Sequence, residues 1–397
     1  MRERSAVLLS CALLGACTVG NLTEAEVLTG LDGVMRVDRS TSPPKLRYAE
    51  EGPVASWTLR FSPLLPLQPL MRILFGTPST ERLENPASHA RELARALGEK
   101  AGDSPGSAAE ASIRLLQIAT LDTSSLDRVV ALDGLESISA RVGVDLWPDL
   151  MAPTSWPARS PEFERALAEF GRLAATRRSG SPRSDAERAA LGSAMDALVA
   201  RPLPTADERV ALLVDLAAEA SAESDPELRA GAESALLRGL AHAVRWTLVE
   251  ALKGREPALR PVRLRALEIL HRAGGPDSVP VLLSLLAAPG AELREGVERF
   301  EDGPVRLRMI RYCGQLDETR AARAARLPGR EDWEAISPLQ FLCEQVLPVV
   351  APGSDFDPFG NPMRIPAQRA LCWILRRPVD FDTAWVRTWY EEFRRKR

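Results

Sequence analysis

The pentapeptide Pro-Val-Arg-Leu-Arg occurs twice in this chain, at 261–265 and at 304–308, 43 residues apart. A string repeated at such a distance points to copies of one supersecondary unit, because such a unit leaves an apolar face that only a neighbouring copy can bury. After Pro261, apolar residues fall at helical spacings as far as Leu270, and Gly274-Gly275 then marks a turn. A second apolar helical stretch follows over 277–286. Proline is tolerated near each helix start, where its missing N–H would have no partner in any case. Leu264, Leu267, Ile269, Leu270, Val281, Leu282 and Leu285 are the expected interior between the paired helices. Looser copies begin at Pro226 and Pro366, while 302–330 departs from the pattern after its first helix.

The segment 261–286 resembles a HEAT repeat of the bacterial type: a first helix opening on Pro-Val-Arg, a glycine turn, then a second helix with Val-Pro-x-Leu. The resemblance implies an all-α fold, an α-solenoid-like stack of helix pairs over 201–397. Stacks of this kind present long surfaces to proteins and peptides. Arg263, Arg265, Arg306 and Arg308 are candidate partner-binding residues, as a basic stripe; the alternative is that they bridge adjacent repeats or lie in solvent.

Between 53 and 200 the helical period also dominates. It predicts helices over 79–100, 107–121, 125–142 and 160–177. Ser184-Asp-Ala-Glu187 and Thr205-Ala-Asp-Glu208 both fit the capping box, and Ser160-Pro161 and Asp225-Pro226 put a capping residue before a first-turn proline. Residues 178–184 have linker composition. Alternation over 55–61, with Trp57, Leu59 and Phe61 on one face, predicts a short extended segment ended by Pro63. Residues 17–52, which include Thr41-Ser-Pro-Pro44, read as a loosely ordered tether.

The N-terminus has a different character. Arg2 and Arg4 precede an apolar run over 6–14, which is too short to span a bilayer. Small residues follow, as in a secretory signal. Leu14-Gly15-Ala16-Cys17 resembles the lipobox of bacterial lipoproteins. That resemblance implies a signal peptide over 1–16, a diacylglycerol thioether on Cys17, and attachment to a membrane. Thr18 stands where inner-membrane retention signals carry Asp, which leans toward the outer membrane, facing the periplasm. Two or more acyl chains anchor stably where one binds only marginally.

Charge excludes one class of function. Lys+Arg 51 against Asp+Glu 54 leaves a formal charge of -3, and a protein built to neutralise many phosphates needs a basic excess. No nucleic-acid partner is expected. The sequence also shows no catalytic or cofactor signature. Gly102-Asp-Ser104-Pro-Gly106 matches the text of a nucleophile elbow, but a helix precedes it where a strand is required. His89, His242 and His271 are the only histidines, none paired at metal-ligand spacing; His242 and His271 read as surface or groove-lining positions on helices. Asp355-Phe-Asp357-Pro-Phe-Gly360 begins like a calcium loop but has Pro366 where a bidentate carboxylate is needed. Cys313, Cys343 and Cys372 read as small apolar residues or, in an exported chain, as one disulfide and one thiol. Trp373, Trp385, Trp389, Tyr390 and Phe393 crowd the C-terminus ahead of a basic end, as core aromatics or as a contact with lipid or a partner. The expected function is therefore a lipid-anchored, non-catalytic helical-repeat protein that binds another envelope protein. The alternative is an envelope enzyme or ligand-binding protein with a pocket within 79–200.

Overall fold

The structure is a computed structural model and describes residues 22–38, 40–41, 44–48, 86–146, 161–178, 184–199, 206–223, 226–254, 256–286, 303–317, 321, 338–346, 364–377, 388, 392 and 395. These are mostly helical, with one two-stranded antiparallel sheet. The chain divides into two compact units: 1–145 with 157–247, and 146–156 with 248–397. The boundary falls inside one long helix.

In the first unit the elements are α1 (Glu24–Val34), β1 (Met35–Asp38), β2 (Lys45–Tyr48), α2 (Pro86–Lys100), α3 (Pro105–Leu121), α4 (Ser125–Arg141), α5 (Pro161–Arg178), α6 (Asp185–Val199), α7 (Ala206–Ala222) and most of α8 (Pro226–Lys253). α4 packs on α2 and α3, α3 on α7, α1 on α2, and α5 on α6. The predicted helices are present to within a few residues where they are described. The Ser184 capping box is also formed. Ser184 N–H donates to Glu187 at 2.9 Å, while Glu187 N–H donates to Ser184 Oγ at 3.3 Å.

The tether expected over 17–52 is corrected where it is described between residues 22 and 48. Thr23 caps α1 through a reciprocal pairing with Glu26, and Val27, Leu31 and Val34 are buried at helical spacing. β1 and β2 then pair as a hairpin, Met35 opposite Tyr48 and Val37 opposite Leu46. Polar contacts tie this segment down: Arg114 grips Asp32 with two bonds of 2.6 and 3.0 Å, and Ser107 Oγ donates to Glu24 at 2.6 Å. Polar composition and the Pro43-Pro44 pair masked an apolar face only three residues wide.

Gly98 on α2 and Gly134 on α4 let these helices meet backbone to backbone. A Cβ on Gly98 would lie 2.5 Å from the Cα of Gly134, closer than any side chain tolerates.

The second unit holds α9 (Arg260–Gly274), α10 (Ser278–Leu286), α11 (Gly303–Cys313), a short helical segment over 338–346 and α12 (Arg364–Leu375). α9 and α10 form a helical hairpin, and α11 packs on both. Gly275 ends α9 at φ 58, a left-handed conformation that glycine adopts without a Cβ penalty. Six of the seven interior positions expected from the sequence are buried; Leu264 is half-buried. Cys313 and Cys372 are buried thiols and Cys343 is half-buried, as small apolar residues would be. α12 packs on α11 and on the 338–346 segment.

Candidate functional site

Both copies of the pentapeptide open a helix, α9 and α11, and the two helices touch. The apolar positions that are equivalent in the two copies share their environments. Pro261 and Pro304 are exposed, Val262 and Val305 are 1% exposed, and Leu264 with Leu307 are half-buried. The match runs on through Ala266 and Met309, Leu267 and Ile310, Ile269 and Tyr312, and Leu270 and Cys313, all buried. A shared burial register over more than two turns means that the two helices use the same face to meet the core.

The last arginine of each copy turns to the same carboxylate. Arg265 Nη1 donates to Glu268 Oε2 at 3.0 Å from three residues away, and Arg308 Nη1 donates to the other oxygen, Oε1. Glu268 thus joins α9 to α11 through two charge-assisted bonds. Burial works against the charge on Arg308, but Tyr312 and Glu268 outweigh it and hold the guanidinium above its ordinary range. Arg263 is buried and Arg306 half-buried, with the Arg306 guanidinium pushed down by burial. Of the four candidate arginines, two therefore meet at Glu268, and none is fully exposed.

One turn further along, His271 occupies the centre of a second polar layer. It was expected at a surface or groove and is instead buried, stacked on Tyr312 with ring centroids 3.6 Å apart. Ser278 Oγ donates its single hydrogen to Gly275 O at 2.6 Å, so it can only accept from His271 Nδ1, 2.8 Å away. Burial lowers the His271 pKa, which favours the neutral ring with its proton on Nδ1. Nε2 faces Gln315 Oε1 at 2.9 Å, and a neutral ring protonated on Nδ1 accepts there once the carboxamide turns its N–H toward it. Ser278 is fully buried, so this serine–histidine pair is out of reach of a substrate. Its chemistry is that of a latch between the turn after α9 and the end of α11. Sequence reasoning missed Glu268, Ser278, Tyr312 and Gln315; only the i, i+3 spacing of Arg265 and Glu268 signalled any of them.

The first unit carries its own buried polar cluster. Tyr48 O–H donates to Asp122, and Arg91 pairs with Asp127, both carboxylates being under 10% exposed. Asp122 also accepts from Ser124 N–H at 2.8 Å, and Ser124 caps α4. Burial raises the Asp122 pKa, with the neighbouring Asp127 adding to it and its hydrogen bonds opposing it. Burial and Asp122 together push the Tyr48 hydroxyl well above its ordinary value. A groove of about 400 Å³ also runs between α6 and α8, over Met195 and Leu228 and beside Asp185, Asp196 and Glu227. It is open because Gly192 and Gly231 line it, with nothing within 4 Å of where a Cβ would stand.

Ser104 is the N-cap of α3, accepting from Ser107 N–H at 3.2 Å, so the elbow-like motif is helix-capping chemistry. Among the described residues no group of three or more His, Cys, Asp or Glu is placed to hold a metal, and no helix is long and apolar enough to cross a membrane. Cys17, the 55–61 segment, the 355–360 turn and the aromatics at 385, 389, 390 and 393 lie outside the described residues, as does the His89 side chain. No family model matches the chain, and no curated protein or solved structure matches it.

Proposed function

We propose that this is an exported protein fastened to a membrane through lipid on Cys17, whose helical body acts without catalysis as a repeat-built module binding another envelope protein. The observation that carries the repeat reading is the shared burial register of the two pentapeptide helices, joined through Glu268. Side-by-side first helices with equivalent residues at equivalent depths are what tandem helix pairs require. The lipobox-like Leu14-Gly15-Ala16-Cys17 carries the anchoring reading. The buried state of Ser278 and His271 removes that serine–histidine contact as a nucleophile pair, which favours binding over catalysis.

Intact-mass measurement on detergent-extracted full-length protein tests the anchor. A chain beginning at acylated Cys17 is the expected result, and Met1 retained on cytosolic material sinks it. Crosslinking and pull-down from the same extract, with Cys17→Ala alongside, test the module. An envelope protein recovered with the anchored chain, and reduced when anchoring is lost, is expected. The groove between α6 and α8 supports one second reading, a small-ligand site; thermal stabilisation by a metabolite that vanishes in Gly231→Leu would favour it.

A further inference from the structure

The helix α12 has an outward face unlike the rest of the described surface. Trp373 is 72% exposed and Ile365 is 60% exposed, the two most exposed large apolar side chains among the described residues. Arg369 lies between them at four-residue steps, so the three form one stripe along the helix, and exposed Arg376 and Arg377 follow just past its end. The opposite face, Ala367, Ala370, Leu371, Cys372 and Ile374, is buried. Residues 364–377 hold four arginines and no Asp or Glu, in a chain whose acidic residues outnumber its basic ones overall.

We propose that this face of α12 docks on an anionic bilayer surface. Three chemical features meet there. An exposed indole prefers the headgroup level of a membrane, where its ring is apolar and its N–H stays wet. Ile365 adds apolar area that enters the same boundary. The arginines meet lipid phosphates as planar, permanently charged donors, and residues 364–377 themselves carry no carboxylate. An acidic protein would satisfy the charges alone, but it gives no reason for Trp373 to stand almost wholly in water. The inference rests on the membrane reading above only in supplying the bilayer; it needs no acyl chain.

The test uses the full chain carrying Cys17→Ser, so that lipid attachment cannot contribute. Co-sedimentation is measured with vesicles of phosphatidylcholine alone and of equimolar phosphatidylcholine and phosphatidylglycerol. Binding is expected on the anionic vesicles in excess of the neutral ones, and to fall with added salt. Arg369→Ala is expected to weaken it about fivefold, the worth of one surface charge. Trp373→Ala weakens it at least as much, and Leu126→Ala, an exposed leucine on α4, leaves it unchanged. Circular dichroism keeps the comparison to folded protein. Equal binding to both vesicle types, or binding that Trp373→Ala and Arg369→Ala leave intact, overturns the proposal. Failure to find acyl chains on wild-type Cys17 overturns the anchor and leaves this result standing.

Discussion

The two units both build polar clusters against their cores, and they build them differently. In the first unit, Tyr48, Asp122, Arg91 and Asp127 join a hairpin strand, a loop and two helices, elements far apart in sequence and each unlike the others. In the second, Glu268 and His271 join α9 to α11, the two helices that open on the same pentapeptide. A buried ion pair offsets its desolvation only when geometry and extra hydrogen bonds are good. The first cluster meets that need with helix-capping groups at the start of α4; the second draws on residues of the two helices that open on the pentapeptide. Close packing differs too, with a backbone-to-backbone glycine contact in the first unit and buried aliphatic side chains on both α9 and α10 in the second.

The largest expected effect lies in the first cluster. Asp127→Ala leaves Arg91 half-buried beside Asp122 without its carboxylate and removes an acidic residue from the first turn of α4. A loss of about 3 kcal/mol is expected, at the low end for a buried pair because Arg91 is partly solvated. Urea denaturation measures it, and a loss under about 1 kcal/mol would place the pair with surface bridges. Gly98→Ala comes next, at about 2 kcal/mol, since its Cβ meets backbone rather than a flexible side chain. Gly192→Ala, over open space in α6, should instead stabilise by about 0.5–1 kcal/mol. If both glycines respond alike, helix–helix proximity is not what distinguishes them.

In the second unit, Glu268→Ala is expected to cost about 1–2 kcal/mol, because the carboxylate and both arginines are partly exposed. A double-mutant cycle with Arg308→Ala should return a coupling of about 0.5–1 kcal/mol; additive losses would mean that the inter-repeat bond contributes nothing.

Acid should separate the units. The folded pKa of His271 lies below its ordinary value of 6.5, so its neutral form contributes stability in full above about pH 6.5. That contribution is lost as pH falls from there toward the folded pKa, with a slope of at most about 1.4 kcal/mol per pH unit. Asp122 runs the other way. Its folded pKa is raised, so its contribution is present at low pH and is lost as pH rises through the folded value. Denaturation followed at pH 7 and pH 5 should show His271→Gln flattening the acid loss while Asp122→Asn does not. The smallest expected change is Arg376→Gly. Arg376 holds φ 51 in a motif where Arg377 N–H donates to Cys372 O at 2.9 Å, and glycine there should stabilise by up to about 1 kcal/mol.

Helices were the legible part of this chain. Apolar residues at three- and four-residue spacing, with serine or threonine ahead of them and proline just inside, located α3, α4, α5, α9 and α10 closely. Those signals are local, and each capping bond closes within four residues. The hairpin over 35–48 was missed because a four-residue strand carries only two inward side chains, too few to show alternation. The arginine pairs were visible as residues but not as contacts, since nothing in Pro-Val-Arg-Leu-Arg says that its last arginine reaches a glutamate on the neighbouring copy.

What the sequence determined by itself was helical content, the helix starts and a pentapeptide that opens two helices, because backbone hydrogen bonding, capping and apolar periodicity act over a few residues. The tertiary structure alone decided that His271 is buried with its pKa lowered, that Asp122 and Asp127 are paired with Tyr48 and Arg91, and that Trp373 faces water. Burial and pairing depend on which distant segments arrive at the same place, and desolvation acts only once they have arrived.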